Sequence, residues 1–187
     1  MIRRTDVKNL IRSFRYAFRG MAYCIKNERN MRIHIAAVVL LSYFAYFFRL
    51  ERGEYLVLVL CFGIVISAEA FNTAIEALVN LESPSYHRYA RIAKDVAAGA
   101  VAISAIAAAV AGIVMFFDPD RLLRTLILMF QTPWAGVLFV ALILLGLFFV
   151  FNGSRLFGEH GTRIYHFKDE VDAEGVRRYP PHGDGEN

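Results

Sequence analysis

Four long, predominantly apolar runs constrain this chain more than any other feature. They cover Ile33 to Phe48, Tyr55 to about Val79, Val96 to Phe117 and about Trp134 to Phe151. A hydrocarbon core roughly 30 Å thick asks for about 20 predominantly apolar residues in a crossing helix. Each run meets or approaches that length, and most charges fall between the runs. Backbone groups in hydrocarbon must satisfy one another, so each run is expected to be helical. The sequence therefore predicts an all-α, integral-membrane helical bundle. Hydrophobic residues are 57% of the 187 and charged residues 20%, against roughly 25% charged in an average soluble domain. That balance excludes a disordered chain and argues against a water-soluble enzyme. With only Cys24 and Cys61, a disulfide scaffold is excluded as well. The first 30 residues are too charged to read as a cleavable signal.

Orientation follows from counting Lys and Arg in the connections. Residues 1–32 hold nine and the 80–95 connection three, whereas 49–54 and 118–132 hold two each. The N-terminus and the 80–95 connection are thus expected on the cytoplasmic side, and a fourth span returns the tail there. Within the N-terminal segment, Leu10, Phe14, Ala17 and Met21 recur at helical spacing. Lys8, Arg12, Arg15 and Arg19 repeat the pattern displaced by about 200°. One oily face opposite one basic face predicts a helix lying in the membrane surface against anionic headgroups.

The second run holds polar residues in the wrong solvent. Glu69, Asn72, Thr73 and Glu76 fall at i, i+3, i+4 and i+7 and share one helix face. A carboxylate in hydrocarbon costs at least about 2.5–3.5 kcal/mol, so such residues are rare and usually functional. At about 1.5 Å per residue, Glu69 lies roughly 21 Å from the outer end at Tyr55 and Glu76 roughly 31 Å. Glu76 reaches the cytoplasmic boundary, while Glu69 sits about two turns deeper. Glu28 lies a turn before the first span, and Lys94 and Asp95 immediately precede the third. Glu28, Glu76 and Asp95 are expected near one interfacial plane with Lys94 beside them, a set suited to Mg²⁺ and phosphate. From spacing alone, catalysis, proton-coupled transport and helix-packing glue all remain open.

The strings themselves are more specific. Glu69-Ala70-Phe71-Asn72-Thr73-Ala74-Ile75-Glu76, then Tyr86-His87, then Lys94-Asp95-Val96-Ala97-Ala98-Gly99-Ala100-Val101 closely resemble the prokaryotic diacylglycerol kinase and undecaprenol kinase family. Phe18-Arg19-Gly20 and Asn27-Glu28 extend the resemblance, which covers about residues 9–117. It implies a kinase domain over 1–118, with a surface helix at about 6–28 and spans at about 31–48, 54–80 and 95–117. An extra loop and fourth span follow over 119–151, then a polar cytoplasmic tail over 152–187. The implied activity is transfer of the γ-phosphate of ATP, with Mg²⁺, to a lipid hydroxyl at the cytoplasmic face of a bacterial membrane. The resemblance makes Glu69 the general base, and Glu28 and Glu76 the metal carboxylates. It places Asn72, Lys94, Asp95, Tyr16, Tyr86 and His87 around the nucleotide, and Glu69 with Ala98 at the lipid. It also implies a homotrimer whose neighbouring subunits complete each site, and no nucleic-acid partner.

The run after Lys94-Asp95 looks more like the undecaprenol branch, which makes undecaprenol the expected acceptor and diacylglycerol the alternative. A proton-coupled transporter stands third; it would depend on a gradient and not on Mg²⁺-ATP. Two departures touch efficiency or lipid preference: Asn80 stands where an Asp is common, and Asn9 where some members carry a basic residue. Beyond residue 119, Ser154-Arg155 with His160 only faintly matches a lipid phosphatase motif, and phosphatase activity is rejected. His160, His166 and His182 read as tail histidines, and neither cysteine suggests catalysis.

Overall fold

Helices form wherever the apolar runs leave the backbone no partner but itself. The computed structural model describes residues 4–82 and 88–157, and among these there is no strand. The order is α1 (Arg4–Asn27), α2 (Arg29–Phe48), α3 (Arg52–Glu82), α4 (Arg88–Phe116), α5 (Pro119–Gln131) and α6 (Pro133–Phe157). Four of them, α2, α3, α4 and α6, are long and apolar enough to cross a membrane. Their outer surfaces carry Ile103, Val114 and Leu144, each more than 60% exposed, which suits lipid as the surrounding solvent.

The α3–α4 hairpin is the most extensive helix pair. On the α4 side of this pair, Ala97 and Val101 are the buried residues, the alanine a small side chain of the kind that helix interfaces in membranes favour. At one end of the bundle, Arg49 closes α2 in the left-handed conformation (φ 55°). The chain then turns so that Leu50 joins Ala45, Phe48 and Leu58 in a buried apolar cluster. The Phe116 ring meets Phe44 and Phe48 edge-on, with centroids 5.5 and 5.1 Å away.

Beyond the three-span core the structure departs from the sequence reading. A loop is expected from residue 119, but α5 forms there. Asp118 caps it by accepting from the Arg121 amide at 3.0 Å, and Pro119 fills the first turn. At 13 residues, roughly 20 Å, α5 is too short to cross. It buries Thr125 and Met129 and leaves Leu123 and Phe130 exposed. The following helix, α6, packs along α2. Tyr43 donates its hydroxyl to the Ala135 carbonyl at 2.9 Å and stacks on Phe139 at 5.9 Å. Further along, Gly146 lies over Ala36. The helix runs on to Phe157, past the expected end at Phe151, and α4 begins at Arg88 instead of about residue 95.

Candidate active site

Glu69, Asn72, Thr73 and Glu76 share one face of α3, and that face turns inward. Glu69 is 1% exposed, Asn72 5% and Thr73 3%. Thr73 donates to the Glu69 backbone carbonyl at 3.0 Å, and Asn72 Nδ2 donates to Glu76 Oε1 at 2.9 Å. Both carboxylate oxygens of Glu69, and Asn72 Oδ1, are buried without a hydrogen-bond partner among the described residues. Buried polar atoms are rarely left so, and each such case calls for a ligand or a chemical role. Glu69 and Asn72 open onto a cavity of about 270 Å³, with Ala98 on its α4 wall and Asn30 and His34 on its α2 wall.

Glu28 enters from the elbow between α1 and α2, where it is the N-cap of α2 with an extended backbone and no side-chain cap bond. Its carboxylate is therefore left to point elsewhere. Glu28, Glu69 and Glu76 lie within electrostatic reach of one another. Burial, and then the Glu76 charge, push the Glu28 carboxyl above its ordinary range, and Arg32 partly offsets them.

Other expected site residues fall differently. Lys94 donates to Asn80 Oδ1 at 2.9 Å, a neutral partner where an Asp would bring a charge. Asp95 does not join the three glutamates within the chain. It is 71% exposed and pairs with Arg91 at 3.7 Å. The reason is helical phase: Lys94, Ala97, Ala98 and Val101 recur at helical spacing, and Asp95 lies about 100° off Lys94. Tyr16 is exposed on α1, with the Arg19 guanidinium 5.8 Å from its ring centre. Tyr86 and His87 lie outside the described residues, as do His160, His166 and His182.

The fit of a divalent cation rests on the donor set. Among the described residues, no three His, Cys, Asp or Glu side chains come together as a metal site. Glu28 and Glu76 instead give two carboxylates, with Arg32 the cation that acts on Glu28. Two carboxylates completed by phosphate oxygens are a common arrangement for Mg²⁺, so these residues fit the ion as a companion of a nucleotide. His34, which lines this cavity and the apolar groove beside it, escaped the sequence reading. A titratable ring inside an apolar run was the available signal. Arg32 escaped too, being read only as a boundary charge.

Span-length helices around a buried, unpartnered carboxylate define a helical membrane protein with an intramembrane polar site. Comparison places that class: the chain matches the prokaryotic diacylglycerol kinase family over residues 15–116 and belongs to it. It is 43% identical over 112 residues to a diacylglycerol kinase of Synechocystis sp., a match covering 59% of this chain and 64% of that protein. It is 34% identical over 113 residues to an undecaprenol kinase of Bacillus subtilis, covering 60% of this chain and 92% of that protein. The chain thus spans less than two thirds of the first relative. No solved structure matches it.

Proposed function

We propose that the protein transfers the γ-phosphate of ATP to the hydroxyl of a membrane lipid alcohol at the cytoplasmic face of a bacterial membrane. The observation that carries this reading is Glu69: buried, with both oxygens unpartnered, on a cavity beside Glu28 and Glu76. A lipid alcohol stays in the membrane and ATP stays in water. The base must therefore lie on the lipid side of the phosphates, and Glu69 is deeper than Glu76 by about two turns of α3.

Phosphoryl transfer asks mainly for positioning and charge neutralisation. Glu69 takes the proton of the lipid hydroxyl, the alcohol oxygen bonds to the γ-phosphorus, and ADP leaves. Glu28 and Glu76 would hold Mg²⁺, which would supply charge neutralisation at the phosphates. Asn72 orients Glu76 through its 2.9 Å hydrogen bond, and Lys94 adds a positive charge. Ala98, small and on the cavity wall, leaves room for the acceptor chain. Tyr16, Asp95, Tyr86 and His87 surround the nucleotide in a homotrimer, where a neighbouring subunit completes each site. The exposure of Asp95 and Tyr16 on the single chain supports that arrangement.

Undecaprenol is the proposed acceptor, from the Val96-Ala97-Ala98-Gly99 run after Lys94-Asp95. Diacylglycerol is the second reading, favoured by the higher identity to the Synechocystis protein. The test offers purified protein both lipids in mixed micelles with labelled ATP and Mg²⁺. Label in undecaprenyl phosphate is expected; label in phosphatidic acid alone selects the second reading, and label in neither removes the kinase assignment.

A further inference from the structure

Arg32 is a cation 5% exposed at the start of an apolar helix, and its surroundings are unusual. Its Nη1 donates to the carbonyls of Ile25 at 3.1 Å and Lys26 at 3.0 Å. These belong to the last turn of α1, whose final carbonyls have no partner within the helix. Arg32 thus ties the end of α1 to the first turn of α2 across the elbow that carries Glu28. The opposite side of the arginine is closed by α6. Gly153 is buried against it, and a Cβ built there would stand 2.5 Å from Arg32 Nε and 3.1 Å from Cζ. A side chain at 153 would force the arginine to shift, against the two carbonyl bonds that hold it. The residue lies well outside the segment matched to the family, 15–116.

We infer that α6 positions the nucleotide end of the site: Gly153 seats Arg32, Arg32 braces the α1–α2 elbow, and the elbow aims Glu28. Arg32 and Gly153 are positioning residues that touch neither phosphate nor lipid. The part about Glu28 rests on the kinase reading above, whereas the brace itself does not. A general packing role for α6 is the competing explanation, and Gly146 separates the two. It sits on the same α2–α6 seam over Ala36, away from the arginine.

Cys24 gives a readout independent of catalysis. It lies on α1, 7% exposed, where it lines one cavity with Thr73 of α3, so loosening the elbow exposes it. In full-length Cys61→Ser protein, labelling of Cys24 by a water-soluble maleimide is followed in detergent. Gly153→Ala and Gly153→Leu are expected to raise the rate about tenfold, and Arg32→Met to match them. Arg32→Lys, which can still reach one carbonyl, should fall between. Gly146→Leu should leave the rate unchanged. The same variants should weaken Mg²⁺-ATP binding severalfold while leaving KM for the lipid unaltered. An unchanged labelling rate in the Gly153 and Arg32 variants overturns the brace, and an equal rise in Gly146→Leu reduces α6 to packing. Loss of folding in Gly153→Leu leaves the decision to Gly153→Ala and Arg32→Met. If wild-type protein phosphorylates no lipid, the kinase reading fails while the labelling result still judges the brace.

Discussion

A carboxylate with both oxygens buried and unpartnered, as at Glu69, costs the fold stability and is kept for what it does. On the kinase reading, replacing it by Gln keeps the shape and removes the base. Glu69→Gln is expected to lower kcat by at least about 10²-fold and to leave Mg²⁺-ATP affinity within twofold of wild type. Turnover near the wild-type rate would take Glu69 out of the role of base. Glu28 answers to pH in the opposite sense from a salt-bridged acid. Its folded pKa is raised above 4.5 by burial and by Glu76, so folding favours its protonated form. Its contribution to stability is therefore fully present below pH 4.5 and is lost as pH rises through the raised value. Without Mg²⁺, the unfolding midpoint should fall across that window. Glu28→Gln should flatten the fall; an equally steep profile in the variant would assign it elsewhere. At this scale the sequence was partly legible. Spacing put Glu69, Asn72 and Glu76 on one face, because a single helix has a known phase. It could not place Asp95, whose position depends on which face of α4 meets α3. Arg32 and Gly153 share no local pattern, and only tertiary packing brings them together.

Among the elements, the spans are legible because hydropathy over about 20 residues is a strong signal. The helix between α4 and α6 is not, because 13 residues of mixed polarity never register as a crossing. The Asp118-Pro119 pair was the available cue, a cap residue followed by the proline favoured in a first turn. What holds α5 down is Arg121. It donates to both carboxylate oxygens of Glu54 at 3.1 Å and to the Arg49 carbonyl at 3.2 Å, and its guanidinium lies 4.6 Å from the Phe48 ring centre. Its side chain is 30% exposed and that of Glu54 25%, so the pair is screened only in part. Arg121→Met should destabilise the protein by about 1–2 kcal/mol, read as a lower thermal midpoint in detergent. Glu54→Gln with Arg121→Met should recover some of the loss, since no lone carboxylate is left behind. A double variant no better than the single one would show that the ion pair is not what anchors α5.

Across the whole molecule, charge bias and the kinase reading bear on which way the bundle faces, and packing shows which ends share a side. Basic residues number nine before the first span and three in the 80–95 connection, against two in each of the other connections. The contact of Gly153 with Arg32 puts the end of α6 beside Glu28, while Tyr43 and Ala135 join α2 to the start of α6 toward the other end. Four crossings thus return the chain to the side on which α1 lies. ATP is a cytoplasmic substrate, so the kinase reading also requires Glu28, Glu76 and Lys94 to face the cytoplasm. Charge bias and the kinase reading then favour the same orientation, and a reporter that works only outside the membrane can test it. Alkaline phosphatase fused after Asp118 should be active in whole cells, and the same enzyme fused after Asn187 inactive. The reverse pattern would put the glutamates where there is no ATP, and the kinase reading would fall with the orientation. Activity at both fusion points would mean that α6 does not cross, and the seat of Arg32 on Gly153 would then have to form without a fourth span.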